Sequence, residues 1–244
     1  MQRIVFLDRK SLKAEVRRPN FPHQWEEYPQ TLAPEVASRL AGATVAITNK
    51  VPIRRAALEQ LPDLKMIAVA ATGYDVIDID ACRERGIAVA NIRNYAVHTV
   101  PEHTFAMIFA LRRNLIAYRE DVLRGRWQAQ DQFCFFDHPI QDLHGSTLGI
   151  FGEGALGQAT ASIARALGMR VLFADHPPPK ASGVEFTDPE IVLAESDIIS
   201  LHCPLTPASR HFIGMEQLKK MKRRDRKSTR LNSSHVSESR MPSS

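Results

Sequence analysis

Residues 147–158 read Thr-Leu-Gly-Ile-Phe-Gly-Glu-Gly-Ala-Leu-Gly-Gln, and the fold class is predicted chiefly from this segment. It places Gly152, Gly154 and Gly157 in the G-x-G-x-x-G spacing, directly after an apolar run and directly before a helical pattern. In this context the spacing predicts a strand, a tight turn and a helix. Because the first amides of a helix have no partner within it, such a turn can bind a diphosphate.

Each glycine of this turn has a separate physical task. Gly152 permits the tight turn, Gly154 lets the backbone approach the diphosphate, and Gly157 lets the helix pack against the strand. The alternative is that the three glycines do no more than begin a helix.

A carboxylate follows the glycine turn at the expected distance. Asp175 ends the next predicted strand 18 residues after Gly157, close to the ~20 residues typical of dinucleotide-binding units. Its carboxylate can accept hydrogen bonds from an adenosine ribose and repel a 2′-phosphate, which favours NAD over NADP. His176 and Lys180 leave some use of NADP open. A solvated strand end is the alternative interpretation of Asp175.

Strand-like apolar runs alternate with helical patterns over the first 224 residues. The predicted strands are residues 3–7, 44–48, 66–70, 87–90, 147–151, 170–174 and 197–201. The predicted helices are residues 33–40, 54–61, 78–85, 101–123, 155–167, 189–194 and 215–221. This alternation is typical of parallel sheets covered by helices on both faces, and we expect two α/β domains with the second incomplete.

The long predicted helix over residues 101–123 stands between the two series. Pro101 suits its first turn, where the missing N–H has no consequence. Its apolar positions are so dense that we expect more than one side of the helix to be covered. Such a helix can join two domains or lie in a subunit interface.

The composition is that of an ordinary globular chain. Of the 244 residues, 44% are apolar and 24% charged, and the longest apolar run, residues 105–111, is far shorter than the ~20 residues that cross a bilayer. The N-terminus lacks a signal-peptide pattern, and three scattered cysteines argue against a disulfide framework. We therefore expect a cytoplasmic protein with no membrane partner.

Residues 225–244 differ abruptly from the rest of the chain. They contain seven serines and have no helical or strand period, so they cannot bury enough apolar area to order themselves. The segment resembles the conceptual translation of a sequencing-adapter oligonucleotide, with a disordered native tail as the alternative. Leaving out its four cations and two anions lowers the formal net charge from +5 to +3.

Several sequence blocks resemble the D-isomer-specific 2-hydroxyacid dehydrogenases. They are Ala-Thr-Gly-Tyr-Asp at 71–75, Arg-Gly-Ile-Ala-Val-Ala-Asn at 85–91, Glu-His-Thr at 102–104, the glycine turn, and His-Cys-Pro-Leu-Thr at 202–206. The stretches 131–134 and 145–149 are similar to the glycerate dehydrogenase (hydroxypyruvate reductase) branch. Pro101 departs from the small residue expected before Glu-His.

The resemblance implies an architecture and a reaction. A flavodoxin-like substrate domain over residues 1–100 would be followed by a Rossmann NAD-binding domain over residues 101–224, with the active site in the cleft between them. The reaction would interconvert hydroxypyruvate and D-glycerate by hydride transfer with NAD. The full-length protein would be a homodimer.

The resemblance also assigns binding residues. It implies that the backbone amides of Thr72 and Gly73 hold the substrate carboxylate. It places Ala155 and Leu156 over the diphosphate, alongside Gly152, Gly154 and Gly157. It places Asp175 at the ribose and Cys203 beside the nicotinamide.

No catalytic residue is predicted in this chain. Reduction of a 2-keto acid requires a proton donor whose pKa lies near the working pH, which points to a histidine. It also requires a cation that orients the substrate carboxylate, and arginine does this best. The family's Arg, Glu and His come from segments beyond Arg224, where the chain leaves the family pattern, so we expect the chain to be inactive. His103 is interpreted as structural, and His138 and His144 as surface or interface residues. The pair His202–Cys203 lacks the further ligands of a metal site.

Two other functions stay open at this point. One is an NAD(H)-sensing, corepressor-like binding protein of the same fold, and the other is a dehydrogenase for another 2-keto acid such as phosphoglycerate. A nucleic-acid partner is not expected, since the basic run at 219–224 is short, lacks aromatic residues and ends a predicted helix.

Overall fold

The computed structural model describes residues 1–175, 185–206 and 208–222, and the chain divides into two compact units. The first unit spans Met1–Tyr95 and the second begins at Ala96. His176 and Lys180, which bear on the use of NADP, and the unusual segment 225–244 lie outside the described residues.

The first unit contains one parallel sheet of five strands. The strands are β1 (Gln2–Phe6), β2 (His23–Glu27), β3 (Val45–Thr48), β4 (Met66–Val69) and β5 (Ala88–Asn91), and the helices are α1 (Val36–Leu40), α2 (Arg55–Leu58) and α3 (Ile79–Glu84). The strand order β2-β1-β3-β4-β5 is that of flavodoxin-like folds. The predicted flavodoxin-like unit is therefore confirmed.

Local sequence explains the helix that precedes the edge strand β5. Asp78 caps α3, since its side chain accepts a hydrogen bond from the amide of Ala81 at 2.9 Å. Gly86 follows the helix with a φ of +67°, the left-handed conformation that glycine favours at a helix end. Ala81 and Cys82 face the core, so this short helix covers the sheet next to β4 and β5.

Strand β2 was not predicted. Its sequence, His-Gln-Trp-Glu-Glu, has no apolar alternation because β2 lies at the edge of the sheet and none of its residues is fully buried. It pairs with β1 in parallel, with Trp25 opposite Ile4. An ion pair of 2.6 Å between Arg3 and Glu26 adds to this pairing.

The second unit contains a parallel sheet of four strands. Its elements are α4 (Thr99–Arg112), α5 (Leu115–Leu123), β6 (Thr147–Phe151), α6 (Ala155–Ala166), β7 (Arg170–Ala174), β8 (Phe186–Thr187), α7 (Pro189–Glu195), β9 (Ile198–Leu201) and α8 (Met215–Lys220). The order β8-β7-β6-β9 corresponds to 3-2-1-4 of a doubly wound dinucleotide-binding fold. The predicted α/β class is confirmed, although the two-residue strand β8 was missed.

Strand β6 is the centre of this unit. All five of its residues are buried, and its side chains contribute to two separate apolar clusters. Leu148 and Ile150 pack with α4 and α6, whereas Phe151 packs with α7. Helices therefore cover β6 on both faces, as the sequence predicts.

The single helix predicted over residues 101–123 is wrong. The structure has α4 and α5 instead, separated at Asn114, whose φ of +50° is left-handed. Asn114 is buried, and its side-chain amide donates a hydrogen bond to the carbonyl of Pro139. Asparagine tolerates this conformation better than most residues. The hydrogen bond to Pro139 can therefore hold Asn114 in it and end the helix at this point.

Within the described residues of one chain, only one side of these helices is buried, so the expectation that more than one side is covered stays a prediction. Pro101, Phe105 and Ile108 of α4 are buried, but many large apolar side chains remain exposed. We call these the apolar face: Phe109, Leu111, Leu115, Ile116, Val122, Leu123, Trp127, Phe133, Phe136 and Ile140. Part of this face lines a hollow of about 520 Å³. No helix among the described residues is long and apolar enough to cross a membrane.

Candidate functional site

The glycine turn lies at the carboxyl end of β6 and leads directly into α6. Gly152 has a φ of +107°, and a Cβ there would lie 2.7 Å from the backbone nitrogen of Cys203 and from the carbonyl of His202. Both the conformation and the close approach of the chain after β9 require glycine at this position.

The other two glycines have different surroundings. A Cβ at Gly157 would lie 2.0 Å from the carbonyl oxygen of Gly152, so only glycine allows the first turn of α6 to pack on the turn. Gly154, which precedes α6, has an ordinary φ of −63° and is exposed, and a Cβ there would meet nothing within 4 Å. The space outside the start of the helix is therefore open at Gly154.

The start of α6 can receive an anion. No side chain among the described residues caps this helix, and twelve residues give it an appreciable dipole. Ala155 is exposed and Leu156 half-buried, next to the open space at Gly154. Their amides belong to the first turn and have no acceptor within the helix.

Asp175 lies at the same edge of the sheet as the glycine turn. Ile150 of β6 pairs with Phe173 of β7, so Gly152 and Asp175 stand two residues beyond a paired position on neighbouring strands. The side chain of Asp175 is exposed, and its amide donates a hydrogen bond to the carbonyl of Thr187 at 2.8 Å. That bond fixes the point where β7 ends.

The chain after β9 completes this edge. Phe151 pairs with Leu201, and the amide of His202 donates to the carbonyl of Phe151 at 2.7 Å, so Cys203 follows directly beside Gly152. Burial raises the pKa of the Cys203 thiol, which therefore stays protonated at neutral pH. The structure thus brings Gly152, Cys203 and Asp175 to one edge.

His202 was not predicted as a site residue, and the pair that it forms with Cys203 was rejected as a metal site. Its Nε2 lies 2.9 Å from the hydroxyl of Ser200, and burial lowers the pKa of its imidazole to about 4. The ring is therefore neutral at neutral pH. The described residues contain no group of three or more His, Cys, Asp or Glu side chains placed to hold a metal ion. The sequence signals at His202 were its place in the block 202–206 and its position directly before Cys203.

The predicted substrate loop lies at the carboxyl end of β4 in the first unit. Thr72 is exposed and Gly73 half-buried. The side chain of Asn91 donates to the carbonyl of Thr72 at 2.7 Å, and the Thr72 hydroxyl donates to the carbonyl of Ile92 at 2.9 Å. Within the described residues, the backbone N–H groups of Thr72 and Gly73 have no acceptor. Two adjacent free amides can hold a carboxylate.

The other histidines that the sequence analysis weighed lie elsewhere in the second unit. His103 is exposed on α4. His138 lies 2.6 Å from the carboxylate of Asp121 and packs edge-on against Tyr118, with ring centroids 5.1 Å apart. His144 precedes β6 and packs against Gly168, at the edge opposite the glycine turn.

Comparison with known proteins gives consistent matches. Residues 105–226 match the family model described as D-isomer specific 2-hydroxyacid dehydrogenase, NAD binding domain. The chain is 55% identical over 223 residues to the glycerate dehydrogenase of Methylorubrum extorquens, covering 91% of this chain and 70% of that protein. It is 37% identical over 191 residues to the hydroxypyruvate reductase of Blautia hydrogenotrophica, covering 77% and 59%.

A solved structure is also similar. The D-lactate dehydrogenase of Aquifex aeolicus, complexed with NAD and lactic acid, matches with a TM-score of 0.72 and 28% identity. The match covers 90% of this chain and 66% of that one.

Proposed function

Because the chain belongs to the D-isomer specific 2-hydroxyacid dehydrogenases, we propose that its reaction is the interconversion of hydroxypyruvate and D-glycerate. The chain is an NAD-dependent oxidoreductase by family, and its cofactor is NAD. The observation that carries the proposal is the glycine turn, where a Cβ at Gly152 or Gly157 would collide with backbone. Similarity to glycerate dehydrogenase favours this substrate over other 2-keto acids.

The second unit would hold the cofactor through its carboxyl edge. The amides of Gly154, Ala155 and Leu156 would bind the diphosphate, because they adjoin open space at the start of α6. Asp175 would accept hydrogen bonds from the ribose, and Cys203 would adjoin the nicotinamide. Bound NADH supplies the hydride.

The first unit would hold the substrate. The free amides of Thr72 and Gly73 can donate to the carboxylate that every 2-keto and 2-hydroxy acid carries. Hydrogen bonds to amides supply a large part of anion binding when the backbone is fixed in advance.

We also propose that this 244-residue chain does not turn over. A general acid must hold a proton at working pH, but the pKa of His202 is about 4, so its imidazole has already lost that proton. His138 has the required carboxylate partner in Asp121 but lies among the aromatic residues beside α5. Loss of general acid catalysis alone is typically worth about 10²- to 10⁴-fold in rate.

Binding and turnover are measured separately to test these proposals. Titration calorimetry with NADH should give saturable binding to the chain, and NADH oxidation with hydroxypyruvate should stay at the rate without protein. Absence of NADH binding would overturn the assignment of the cofactor edge. Saturable oxidation would overturn the proposed inactivity.

The apolar face supports a homodimer. Phe133 and Phe136 are 84% and 83% exposed, and contiguous apolar surface of this extent is rare on monomers. We propose that a second copy covers it. Light scattering should give twice the monomer mass, and Phe136→Asp should shift the chain toward monomer. Phe21→Asp, an equivalent change in the first unit, should leave the mass unchanged, and equal masses for all three proteins would contradict the proposal.

The described cations and thiols support a cytoplasmic protein without a nucleic-acid partner. Lys219, Lys220 and Lys222 each pair with a carboxylate, at 2.9, 2.6 and 3.0 Å. Their charges are therefore already balanced. Cys82 and Cys203 are free thiols, as expected in a reducing compartment.

A further inference from the structure

Two peptide groups of the loop after β4 are fixed through their carbonyl oxygens. The amide of Ile92 donates to the carbonyl of Ala71 at 3.1 Å, and the side chain of Asn91 donates to the carbonyl of Thr72 at 2.7 Å. The Thr72 hydroxyl adds a third bond, to the carbonyl of Ile92 at 2.9 Å. The loop is thus attached to the end of β5 by three hydrogen bonds.

The planarity of the peptide group gives these bonds a consequence for the opposite side of the loop. In a trans peptide the C=O and the N–H lie in one plane and point in opposite directions. Fixing the Ala71 carbonyl therefore directs the N–H of Thr72 away from β5, and fixing the Thr72 carbonyl directs the N–H of Gly73 the same way. Neither of these two amides has an acceptor among the described residues.

We propose that Asn91 is a positioning residue for the substrate carboxylate. Its side-chain N–H group sets the plane of the Thr72–Gly73 peptide, so that the Gly73 amide is directed to the ligand before the ligand arrives. The same hydrogen bond polarises that peptide and strengthens its N–H as a donor. The inference rests on the proposed function, since it takes Thr72 and Gly73 to be the carboxylate site.

The surroundings of Asn91 make this proposal testable by substitution. Asn91 is the last residue of the edge strand β5, opposite Val69 of β4, and is half-buried. It lines a hollow of about 370 Å³ together with Tyr74 and Arg93. A shortened side chain there leaves no closed cavity, so variants at this position should fold.

The test compares two variants with a matched control. Asn91→Ala removes the donor, and Asn91→Asp places an acceptor against the Thr72 carbonyl at nearly the same volume. Gln60→Ala removes another amide-to-carbonyl hydrogen bond, of 2.9 Å to Ala56, just after α2. Binding of glyoxylate, the probe, is measured by calorimetry at saturating NADH.

We expect Asn91→Ala to weaken glyoxylate binding five- to tenfold and Asn91→Asp to weaken it more, while NADH affinity changes less than twofold. Lowering the pH to 5 should partly restore binding by Asn91→Asp, because a protonated carboxyl can donate to Thr72 again. A merely structural role does not predict this recovery. Gln60→Ala should bind like the wild type.

Failure of the inference and failure of the proposed function give different results. If the wild type binds glyoxylate and both Asn91 variants bind it equally well, the positioning role of Asn91 is overturned and the proposed function stands. If the wild type binds NADH but no glyoxylate, the assignment of Thr72 and Gly73 fails, and the inference fails with it.

Discussion

The backbone at the carboxyl edges of the two sheets is held in place in different ways. At the edge of the second unit, the backbone is fixed by the absence of side chains, because a Cβ at Gly152 or Gly157 would collide with neighbouring backbone. At the edge of the first unit, the backbone is fixed by side-chain hydrogen bonds from Asn91 and Thr72. One edge depends on steric fit and the other on hydrogen bonding.

This difference has energetic consequences. A steric collision with backbone cannot be relieved by a small side-chain movement, so it acts on the whole folded state. A lost hydrogen bond at an exposed loop costs about 1 kcal/mol and acts locally. We therefore expect substitutions at Gly152 and Gly157 to reduce stability, and substitutions at the predicted substrate loop to reduce ligand affinity with little effect on folding.

The largest effect is expected for Gly157→Ala. The new Cβ would lie 2.0 Å from the carbonyl oxygen of Gly152, and we expect the free energy of unfolding to fall by about 3 kcal/mol or more. Urea denaturation followed by circular dichroism measures it. Gly154→Ala is the control on the same turn, since its Cβ meets nothing within 4 Å. Equal midpoints for the two variants would contradict steric control of this edge.

A pH dependence is the next largest effect. The pKa of His202 is about 4 in the folded chain, below its ordinary value near 6.5, so between these values the unfolded state binds more protons. Stability should therefore fall as the pH is lowered from 6.5 to 4, by about 2–3 kcal/mol. The measurement is urea denaturation at pH 7, 5.5 and 4.

The control for this pH dependence is His202→Asn, which cannot titrate. Carboxylates also titrate in this pH range. The pKa of Glu26, for example, is lowered by the hydroxyl of Tyr28 and by Arg3. Such groups contribute equally to the pH dependence of stability in both proteins. The difference between wild type and variant should therefore change with pH. A difference that stays constant would show that burial of His202 does not limit acid stability.

Gly154→Ala should separate ligand affinity from stability at the glycine turn. Since the position is open, the added methyl group leaves the fold intact but occupies the space outside α6. We expect NADH binding to weaken about tenfold, or ~1.4 kcal/mol, with an unchanged urea midpoint. Calorimetry checks this, and unchanged affinity would show that the diphosphate does not approach Gly154.

Asp175→Asn should alter cofactor choice more than affinity. It removes the negative charge at the end of β7 while keeping a side chain of similar size. We expect about threefold weaker NADH binding and stronger NADPH binding, because the repulsion of a 2′-phosphate is lost. The ratio of the two dissociation constants is the measurement. An unchanged ratio would separate Asp175 from the ribose.

The smallest effect is expected for Thr72→Val at the substrate loop. It removes only the hydroxyl bond to Ile92, so we expect two- to threefold weaker glyoxylate binding and a stability loss below about 1 kcal/mol. Thr104→Val is the matched control, since the Thr104 hydroxyl also donates to a backbone carbonyl, that of Val100, at 2.8 Å. A stability loss as large as that of Gly157→Ala would remove the distinction between the two edges.

The second unit was the more predictable from sequence. The bounds of β6 and β7 were predicted to the residue, because the glycine spacing and the apolar runs are local signals. The break at Asn114 could not be predicted in the same way. It depends on a hydrogen bond to Pro139, 25 residues away, within a sequence that reads as one continuous helix.

The candidate site residues show the same difference between local sequence signals and contacts formed only on folding. Thr72, Gly73 and the glycine turn were predicted as site residues from sequence blocks. The attachment of the loop by Asn91 depends on the pairing of β4 with β5, which composition does not reveal. The neutral state of His202 depends on the burial of its side chain in the folded structure, which the sequence does not reveal.

Each unit has an apolar core of its own. The buried cluster of the first unit runs from Val5 to Ile87, those of the second lie between Phe105 and Leu193, and no described buried side chain belongs to both. Recombination at the boundary after Tyr95 therefore cuts through neither core. A chimaera that joins the first unit of one relative to the second unit of another should therefore retain both folds, since each core can be inherited as a separate module.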